Sequence, residues 1–393
     1  MRRTYLDYNA TTPPAPEVVQ AMLPFLAEEY GNASSIHSPG QRARAAVEQA
    51  RAQVATLIGA REKEIVFTSG GTEADNLAIR GVLGAAERPR KHIVTSTVEH
   101  HAVLNTCQAL EAEGVAVTYV SVDPGGVVNP DDVRRALTPD TVLLTLMHAN
   151  NELGTLQPIT EIAALARAHR IPFHTDAVQS VGKLPVNVAE LGVDLLSLSA
   201  HKIYGPKGVG ALYVRRGCRL KPLFFGGHHE RDRRPGTENV TGIVGLGAAA
   251  ELARKRLEED AGRVAALRDE LERKVLSRVP DVGVNGDLKR RTSNTTNLYF
   301  DFVEGEPLVI ALDLKGVACS TGAACSAGAV EPSHVLTAIG LSPERARASL
   351  RFSLGRTTSR EDIDYVIEVL PGVVERLRQL SPLYKQPASA GGQ

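Results

Sequence analysis

The chain has 393 residues; 43% are hydrophobic, 23% are charged, and 45 basic side chains balance 45 acidic ones. This length is enough for two or three domains with a large buried core and an interdomain cleft. The formal net charge of zero gives no electrostatic reason to expect a nucleic-acid partner. No apolar run reaches the roughly eighteen residues of a transmembrane helix, and the first residues lack the apolar region of a secretory signal. We therefore expect no direct contact with nucleic acid or membrane.

The chain contains four cysteines, which are Cys107, Cys218, Cys319 and Cys325. They are not arranged as a disulfide framework, and none lies in a CxxC zinc pattern. The sequence therefore predicts a protein of the reducing cytoplasm with no intrinsic metal site.

Predicted strands and helices alternate along most of the chain. The strands are short, apolar and β-branched, and helical patterns such as 71–86 and 159–170 lie between them. This alternation predicts an α/β fold with a mostly parallel sheet covered on both faces. The predicted strands span residues 64–69, 92–97, 115–122, 141–149, 171–177 and 194–200.

The pattern changes after a further strand at 210–216. A long helix from about 238 to 278 precedes two more strands and a final helix, at 295–302, 349–355 and 359–380, which predicts a smaller α+β domain. We predict a large domain over 12–255, a small domain that combines 1–11 with 256–385 and carries a mobile cysteine loop at about 318–330, and a disordered tail over 386–393.

Five of the predicted strands end in polar sequence. In open α/β sheets, ligands bind beyond the carboxyl ends of the strands. The convergence of titratable groups on one edge of the sheet therefore predicts an active site there. The strand ends are TSGGT, STVEHH, MHANNE, HTDAVQ and SLSAHK.

Two of these ends suggest the chemistry. Lys202, in SLSAHK, reads by itself as a surface lysine; the alternative is a Schiff-base lysine whose pKa is lowered by desolvation. Asp176 ends the strand in FHTDAVQ, where an unpaired carboxylate would be costly. A carboxylate beside a protonated pyridine nitrogen is what pyridoxal phosphate needs to act as an electron sink. The pair therefore favours pyridoxal 5'-phosphate as cofactor.

The stretch SGGTEADN (69–76) predicts a phosphate site, because its glycines lead directly into a helix whose free N–H groups would face an anion. The competing interpretation is a capping box formed by Thr72 and Asp75.

In VEHHAV, His100 and His101 are adjacent. We expect at most one of them to move protons, since most histidines in proteins are polar groups whose hydrogen bonds are satisfied and which have no catalytic role.

Taken together, eight motifs in a fixed order make the chain similar to a known family. From about Tyr5 to Leu380 it resembles the group I cysteine desulfurases of the NifS/IscS type. The resemblance implies an aspartate-aminotransferase-like fold (fold type I of the pyridoxal phosphate enzymes), a homodimer, and conversion of L-cysteine to L-alanine with the sulfur kept as an enzyme persulfide. The motifs are YLDYNATTP, TSGGTEADN, VEHHAV, HANNELGTLQPI, HTDAVQSVGK, LSLSAHKIYGPKGVGALYV, RPGTENV and CSTGAACSAGAVEPSHVL.

The resemblance also implies roles for residues at the cofactor ring. Lys202 resembles the lysine that bonds to the cofactor, and Asp176 resembles the partner of the pyridine nitrogen. His100 matches the stacking histidine that transfers protons. Gln179 and Asn151 resemble the residues that hold the phenolic oxygen, and Asn151 is also expected at the substrate.

Further roles concern the phosphate and the substrate carboxylate. Thr237 resembles the residue that reaches the phosphate of the partner subunit; without the resemblance, its segment reads as a solvated loop. Arg351 matches the arginine that binds the substrate carboxylate, with a structural salt bridge as the alternative. Within one chain, the phosphate would lie among Gly71, Thr72, Ser199 and His201.

The cysteine-containing stretch GAACSAG aligns Cys325 with the persulfide cysteine of the family. A thiol that collects sulfur at a buried cofactor and delivers it elsewhere needs a mobile tether, which a run of small residues can provide. Cys325 is also a candidate transient iron–sulfur ligand. Cys319 is either a small filler, which we favour, or a resolving thiol. Cys107 and Cys218 are predicted to be structural or incidental.

The predicted function is therefore a cysteine desulfurase that passes sulfur to an acceptor protein such as an iron–sulfur scaffold, with tRNA thiolation as a further destination. One alternative is a selenocysteine lyase or another Cβ–X lyase of the same fold, such as a kynureninase, although those do not call for the cysteine loop. A non-catalytic desulfurase-like scaffold is the other alternative. Such a scaffold would be expected to lack Lys202, Asp176 or Cys325, and all three are present.

Overall fold

The structure, a computed structural model, describes residues 2–321, 332–382 and 384. The strands in this part of the chain are β1 (Thr4–Tyr5), β2 (Ile65–Thr68), β3 (His92–Ser96), β4 (Ala116–Val120), β5 (Thr141–Thr145), β6 (Phe173–Asp176), β7 (Leu195–Ser199), β8 (Gly210–Val214), β9 (Val282–Asn285), β10 (Thr295–Phe300), β11 (Val317–Ala318) and β12 (Ser349–Ser353). The helices are α1 (Pro16–Met22), α2 (Pro24–Ala27), α3 (Ser38–Leu57), α4 (Gly71–Ala85), α5 (His101–Ala112), α6 (Pro130–Ala136), α7 (Ile159–His169), α8 (Val188–Leu191), α9 (Val240–Arg278), α10 (Gly305–Asp313), α11 (His334–Ala338), α12 (Pro343–Arg347) and α13 (Arg360–Leu380).

The largest sheet has seven strands in the order β2-β8-β7-β6-β5-β3-β4. Its pairs are parallel except the two made by β8, which is antiparallel to both β2 and β7. The prediction of a mostly parallel sheet is confirmed. Because β2, β3, β5, β6 and β7 all run in the same direction, their carboxyl ends lie at the same edge.

Alternation along the strands builds a separate core on each face of this sheet. Leu144 and Leu196 belong to the core on the face covered by α3, α7 and part of α9, whereas Leu143 and Leu195 belong to the core beneath α4 and α5. Successive side chains of a strand point to opposite faces, so a strand buried on both sides must be apolar throughout. This is why the strands read as continuous apolar runs in the sequence.

A smaller α+β unit follows, as predicted. Its antiparallel sheet has the order β12-β10-β9, and α10 and α13 pack with it around Phe300 and Phe352. Helix α9 joins the two units, since Leu246 packs in a core of the large sheet and Leu271 in the core of the small one. The domain boundary at residue 255 therefore lies inside a continuous helix and stays a prediction. Among the described helices, none is long and apolar enough to cross a membrane.

The N-terminal segment connects the small unit to the carboxyl edge of the large sheet. Strand β1 pairs in parallel with β11, and Asp7 bridges to Ser353 of β12. The chain then crosses to the end of β7, where the Thr12 N–H donates to the His201 carbonyl over 2.8 Å. Of the predicted cysteine loop, residues 322–330, and with them Cys325, lie outside the described residues, as does the predicted tail at 386–393.

Candidate active site

The predicted site residues lie at the carboxyl edge of the large sheet. Gly71 begins α4 immediately after the turn that follows β2, and His100 is the N-cap of α5 after β3. Asn151 lies in the turn that follows β5, Asp176 is the last residue of β6, and Lys202 lies in a short helical turn after β7. The ends of β2, β3, β5, β6 and β7 thus bring these groups to one edge of the sheet, while the active site at this edge stays a prediction.

The amine of Lys202 is held by main-chain oxygens. Its Nζ donates to the carbonyl of Asn9 over 2.5 Å and to that of Ala10 over 2.8 Å. Burial and then the positive charge of Arg351 lower its pKa to about 8, against the opposing effect of Asp176. A lysine with this pKa has a substantial neutral fraction near neutral pH, so it is a much better nucleophile than a surface lysine.

Asp176 is buried at the end of β6 and is 6% exposed. Its Oδ1 accepts a hydrogen bond from the Val178 N–H over 2.8 Å. Burial raises the pKa of this carboxyl to about 6, although the Val178 bond and the nearby Lys202 lower it. A cationic group beside this carboxylate would lower its pKa again, because an opposite charge stabilises the ionised form. The site therefore favours a cationic partner for Asp176.

A buried polar layer lies on the same face of the sheet as Asp176. His174 Nε2 lies 2.9 Å from Ser197 Oγ and 3.6 Å from Asp75 Oδ1, and its Nδ1 lies 2.8 Å from Thr145 Oγ1. Burial and then repulsion from Asp176 raise the pKa of the Asp75 carboxyl well above its usual range. Both effects favour the neutral form of Asp75 over a second negative charge beside Asp176. Sequence reasoning did not find this layer.

The N-terminus of α4 forms an open cradle. Its N-cap is Gly70, so no side chain caps the first N–H groups. A side chain at Gly71 would not fit, because a Cβ there would come within 2.8 Å of Val178 Cγ2 and 3.8 Å of Ser199 Cβ. Uncapped N–H groups at the start of a 15-residue helix, with the Ser199 side chain beside them, suit a phosphate.

The predicted capping box at this helix is wrong. Thr72 lies inside the helix rather than at its N-cap, and Asp75 is buried against His174 instead of reaching back to the main chain. Glu73 takes that position instead, and its Oε2 accepts from the Ser69 N–H over 2.8 Å. The sequence pattern matches a capping box, but the helix begins two residues earlier than the pattern requires, with Gly70 rather than Thr72 as its N-cap.

Two histidines lie near Lys202. His100 keeps an exposed face, yet the protein around its ring and then the charge of Lys202 lower its pKa to about 4. Its Nδ1 accepts from the Ala102 N–H over 3.1 Å. Burial and Lys202 likewise lower the pKa of His201 to about 4, and His201 Nδ1 lies 3.1 Å from Thr11 Oγ1. Both rings are therefore neutral at neutral pH and able to accept a proton.

A hydrogen-bond cluster centred on Asn9 organises the amine site. The Asn9 carbonyl accepts from both Lys202 Nζ and Gln179 Nε2, the latter over 3.0 Å. Lys183 Nζ donates to Asn9 Oδ1 over 2.9 Å and to Gln179 Oε1 over 2.5 Å. The Lys183 amine thus fixes which end of the Gln179 amide donates to the Asn9 carbonyl. Sequence reasoning missed Asn9 and Lys183, although both lie in motifs that carry the resemblance.

Arg351 and Asn151, the two predicted substrate residues, are in contact. Arg351 Nη1 donates to the Asn151 carbonyl over 3.0 Å, and Nη2 donates to Asp7 Oδ1 over 2.6 Å. Within the described residues, the buried Nε of Arg351 has no hydrogen-bond partner. The alternative interpretation, a salt bridge, is therefore present, and the arginine still has an unused donor for a further acceptor.

The remaining predicted residues lie elsewhere. Thr237 is exposed on the segment between β8 and α9. Cys319 is 8% exposed and packs in the core of the small unit, where burial raises the pKa of its thiol to about 12. Burial raises the thiol pKa of Cys107 and Cys218 to about 12 as well. In the described ranges, no three His, Cys, Asp or Glu side chains are grouped so that they could hold a metal ion.

Comparisons with known proteins agree with this fold. Residues 4–366 match the family model for Aminotransferase class-V. The cysteine desulfurase IscS of Dictyoglomus turgidum is 54% identical and covers 98% of each chain. A solved NifS-like protein superposes with a TM-score of 0.90 at 36% identity, covering 96% of this chain and 100% of the other. A structure titled SspA in complex with cysteine superposes with a TM-score of 0.81 at 40% identity, covering 91% and 100%.

The fold is that of fold type I of the pyridoxal phosphate enzymes. The chain belongs to the class-V aminotransferase family and, within it, to the cysteine desulfurases of the IscS/NifS type. The family resemblance inferred from the eight motifs is confirmed.

Proposed function

We propose that the chain converts L-cysteine to L-alanine with pyridoxal 5'-phosphate and transfers the sulfur to Cys325 as a persulfide. The observation that carries this proposal is the placement of Lys202 and Asp176. An amine with a lowered pKa, held by main-chain carbonyls, lies at the same sheet edge as a buried carboxylate that needs a cationic partner. Cysteine desulfurases related to this chain support the choice of substrate.

The residues present fit the cofactor. Lys202 would hold it covalently, Asp176 would pair with the pyridine nitrogen, and Gln179 would turn its amide N–H groups from the Asn9 carbonyl to the phenolic oxygen. The glycine Gly71 keeps the helix N-terminus accessible to the phosphate, because a Cβ there would collide with Val178. When bound, pyridoxal phosphate supplies the electron sink that stabilises negative charge developing at the substrate carbon. Thr72, Ser199 and His201 complete the proposed phosphate site.

Proton transfer falls to two groups of this chain. The ring of His100 is in the unprotonated form that a proton acceptor needs at neutral pH, because its pKa is lowered to about 4. The Lys202 amine, with a pKa of about 8, can both accept and return a proton near neutral pH. Burial and Asp176 raise the pKa of Asp75 well above its usual range, which disfavours a competing negative charge beside Asp176.

The substrate carboxylate is proposed to bind Arg351, with Asn151 beside it. The guanidinium is already oriented by Asp7 and by the Asn151 carbonyl, so little side-chain entropy remains to be lost on binding. Its unpartnered Nε is a donor that a carboxylate can satisfy.

The sulfur step is assigned to Cys325 on the basis of sequence. Its thiolate attacks the substrate sulfur, and a sulfur–sulfur bond forms as the carbon–sulfur bond breaks. The electron pair of the broken bond remains on carbon, which takes up a proton to give alanine. Buried Cys319, with a thiol pKa of about 12, is a poor candidate for this role. The persulfide then passes to an acceptor protein, with iron–sulfur cluster assembly as the main destination and tRNA thiolation as a further one.

The functional unit is proposed to be a cytoplasmic homodimer in which Thr237 reaches the phosphate of the partner subunit. Large apolar side chains are exposed close to the Thr237 segment, including Ile36 at 91% and Phe225 at 92%. Thr241, at the start of α9, donates to the Phe25 carbonyl over 2.9 Å, so α2 lies beside the start of α9. Exposed apolar area of this kind marks a protein interface.

The direct test measures alanine and protein-bound sulfur from L-cysteine. Lys202→Ala should fold and make neither product, whereas Lys207→Ala, a change at an exposed lysine of the same loop, should keep both. Borohydride reduction of cofactor-loaded protein followed by peptide mapping should label Lys202; a label on Lys207 would refute the assignment. A colourless protein after cofactor loading would instead support the scaffold alternative, and turnover of selenocysteine but not cysteine would support the lyase alternative.

A further inference from the structure

The segment between β8 and α9 contains a strained turn. Glu230, Arg231 and Asp232 have φ values of 46°, 57° and 63°, and none of them is glycine. Residues with a Cβ rarely adopt this left-handed conformation, and three in succession are rarer still. Such strain persists only where the surrounding structure enforces it, and it concentrates at functional sites.

The first residue of this turn is locked into the protein interior by Arg51 of α3. Arg51 Nη2 donates to Glu230 Oε1 over 2.7 Å and Nη1 donates to Oε2 over 2.8 Å, and each side chain is only 4% exposed. Glu230 Oε2 also accepts from the Phe67 N–H over 2.9 Å, and Arg51 Nη1 also donates to the Ile65 carbonyl over 3.0 Å. The turn is thus fixed to β2, the strand that leads into the phosphate cradle.

A second contact fixes the segment four residues later. Arg234 Nε donates to Glu73 Oε1 over 2.8 Å, and Glu73 lies in the first turn of α4 beside the cradle. After this contact the chain continues to Thr237, which is exposed. Asn239 then caps α9, because its side chain accepts a hydrogen bond from the Gly242 N–H. The segment is therefore held at Glu230 and Arg234 while Thr237 faces outward.

Stability alone does not account for this arrangement. A buried ion pair is often no more stabilising than a pair of apolar side chains of similar volume. The strained turn adds a further cost, so a chain selected for stability alone would gain by relaxing it. The strained turn and the ion pair that holds Glu230 through two hydrogen bonds are better explained by the position that they impose on the residues that follow.

We propose that Glu230 is a positioning residue: its pair with Arg51 holds the 228–239 segment in the conformation that delivers Thr237 to the cofactor phosphate of the partner subunit. This inference rests on the proposed function, because it needs a dimer and a phosphate ester at the cradle. It adds that the affinity of one subunit for the cofactor depends on a buried ion pair in the other subunit.

Two variants remove the anchor in different ways. Glu230→Gln keeps the shape and removes the charge, while the paired change Arg51→Met with Glu230→Met leaves no buried charge unpaired, so it guards against simple misfolding. The affinity of cofactor-free protein for pyridoxal 5'-phosphate, measured by equilibrium dialysis, should fall about tenfold to a hundredfold in both, as expected for the loss of one hydrogen bond to a charged group. Thr237→Val should cause a similar loss, and Glu230→Gln should add little to it.

Mixed dimers carrying two different tags separate positioning from a general structural role. Lys202→Ala removes covalent cofactor binding from one subunit, so the cofactor that borohydride reduction fixes to Lys202 reports only the other site. When Glu230→Gln is on the same subunit as Lys202→Ala, the measured site receives its Thr237 from the altered segment and should bind weakly. When Glu230→Gln is on the opposite subunit, the measured site receives an unaltered segment and should bind normally.

The outcomes distinguish this inference from the function on which it rests. Equal weakening in both mixed dimers, or weakening only in the second, would overturn the role of Glu230. Normal cofactor affinity in Thr237→Val would instead overturn the proposed phosphate contact itself. Normal affinity in Glu230→Gln together with weak affinity in Thr237→Val would leave the phosphate contact in place and reject the anchor.

Discussion

Arg351 donates a hydrogen bond to Asp7 over 2.6 Å, and the two residues join the small sheet to the N-terminal segment beside the amine site. The carboxylate of Asp7 holds one edge of the guanidinium, while the buried Nε has no partner among the described residues. The Arg351 side chain is thus oriented before any substrate binds, and its Nε N–H is a donor without a partner among the described residues. This arrangement favours tight binding of a carboxylate at low entropic cost.

Arg351→Lys should therefore impair substrate binding more than chemistry. A lysine keeps the charge but loses the planar fork and the orientation imposed by Asp7. We expect KM for L-cysteine to rise about tenfold to a hundredfold with a smaller change in kcat. Steady-state kinetics test this, with Arg347→Lys as a control on the nearby helix α12. A fall in kcat with unchanged KM would contradict the proposed role.

Asp176 and Asp75 should respond differently to the same change. Asp176→Asn removes the charge proposed to hold the pyridinium proton, so kcat should fall by about a hundredfold or more with the fold retained. Asp75→Asn replaces a carboxyl whose neutral form is favoured, because burial and Asp176 raise its pKa well above the usual range. We expect kcat within about threefold of the original. Equal losses in the two variants would mean that Asp75 is ionised in the working enzyme.

Glu99 makes the stability of the protein depend on pH. The side chain is 0% exposed, and burial raises its pKa to about 8, above the ordinary value of 4.5. Between these two values the folded protein keeps a proton that the unfolded chain releases. The stabilisation linked to this proton is therefore complete below pH 4.5 and is lost as the pH rises through 8.

Glu99→Gln should remove this dependence, since the amide keeps an acceptor for Ser96 and the Met147 N–H but does not titrate. Relative to the original protein, the free energy of unfolding of the variant should increase by about 2 to 4 kcal/mol between pH 5 and pH 8.5. Urea unfolding of cofactor-free protein at both pH values measures the change, with Glu113→Gln as a surface control for the loss of one carboxylate. Parallel pH profiles for Glu99→Gln and the original protein would show that Glu99 ionises normally.

The sequence predicted most elements because the strands of the large sheet are buried on both faces and read as continuous apolar runs. It could not predict that β8 inserts antiparallel between β2 and β7, since the strand order depends on contacts between distant residues. The site residues that it did find belong to motifs at strand ends, such as Lys202 and Asp176. Their positions follow from the common direction of five strands.

The residues that sequence reasoning missed act through tertiary contacts. Asn9 is one polar residue in a short segment, and its role arises because Lys202, Gln179 and Lys183 converge on it from other parts of the chain. Glu230 likewise lies in a stretch that reads as a solvated loop, yet its partner Arg51 is 179 positions away. A local sequence pattern cannot predict contacts between residues that lie so far apart in the sequence.

The proposed dimer can be tested by light scattering. The mass in solution should be twice the 42.0 kDa of one chain, and a charged substitution such as Phe225→Glu should weaken assembly, because the side chain is 92% exposed in a single chain and is proposed to be covered in the dimer. The matched change Leu314→Glu, at an exposed apolar residue of the small unit, should leave the mass unchanged. A fully active monomer would be incompatible with the delivery of Thr237 to a partner.

The final prediction separates the two cysteines of the stretch GVACSTGAACSAG. The chemistry at the substrate carbon needs the cofactor, Lys202 and His100, whereas breakage of the carbon–sulfur bond also needs a thiolate. Cys325→Ser should therefore load with cofactor and show spectral changes with L-cysteine but form no persulfide, because a hydroxyl is far less acidic and a poor sulfur acceptor. Cys319→Ala should keep most activity, since the thiol of Cys319 is 8% exposed and burial raises its pKa to about 12, which leaves almost no thiolate at neutral pH. Mass spectrometry of the enzyme after one turnover without reductant decides between them. Added sulfur on Cys319 would overturn the assignment, and added sulfur on neither cysteine would reject the persulfide mechanism.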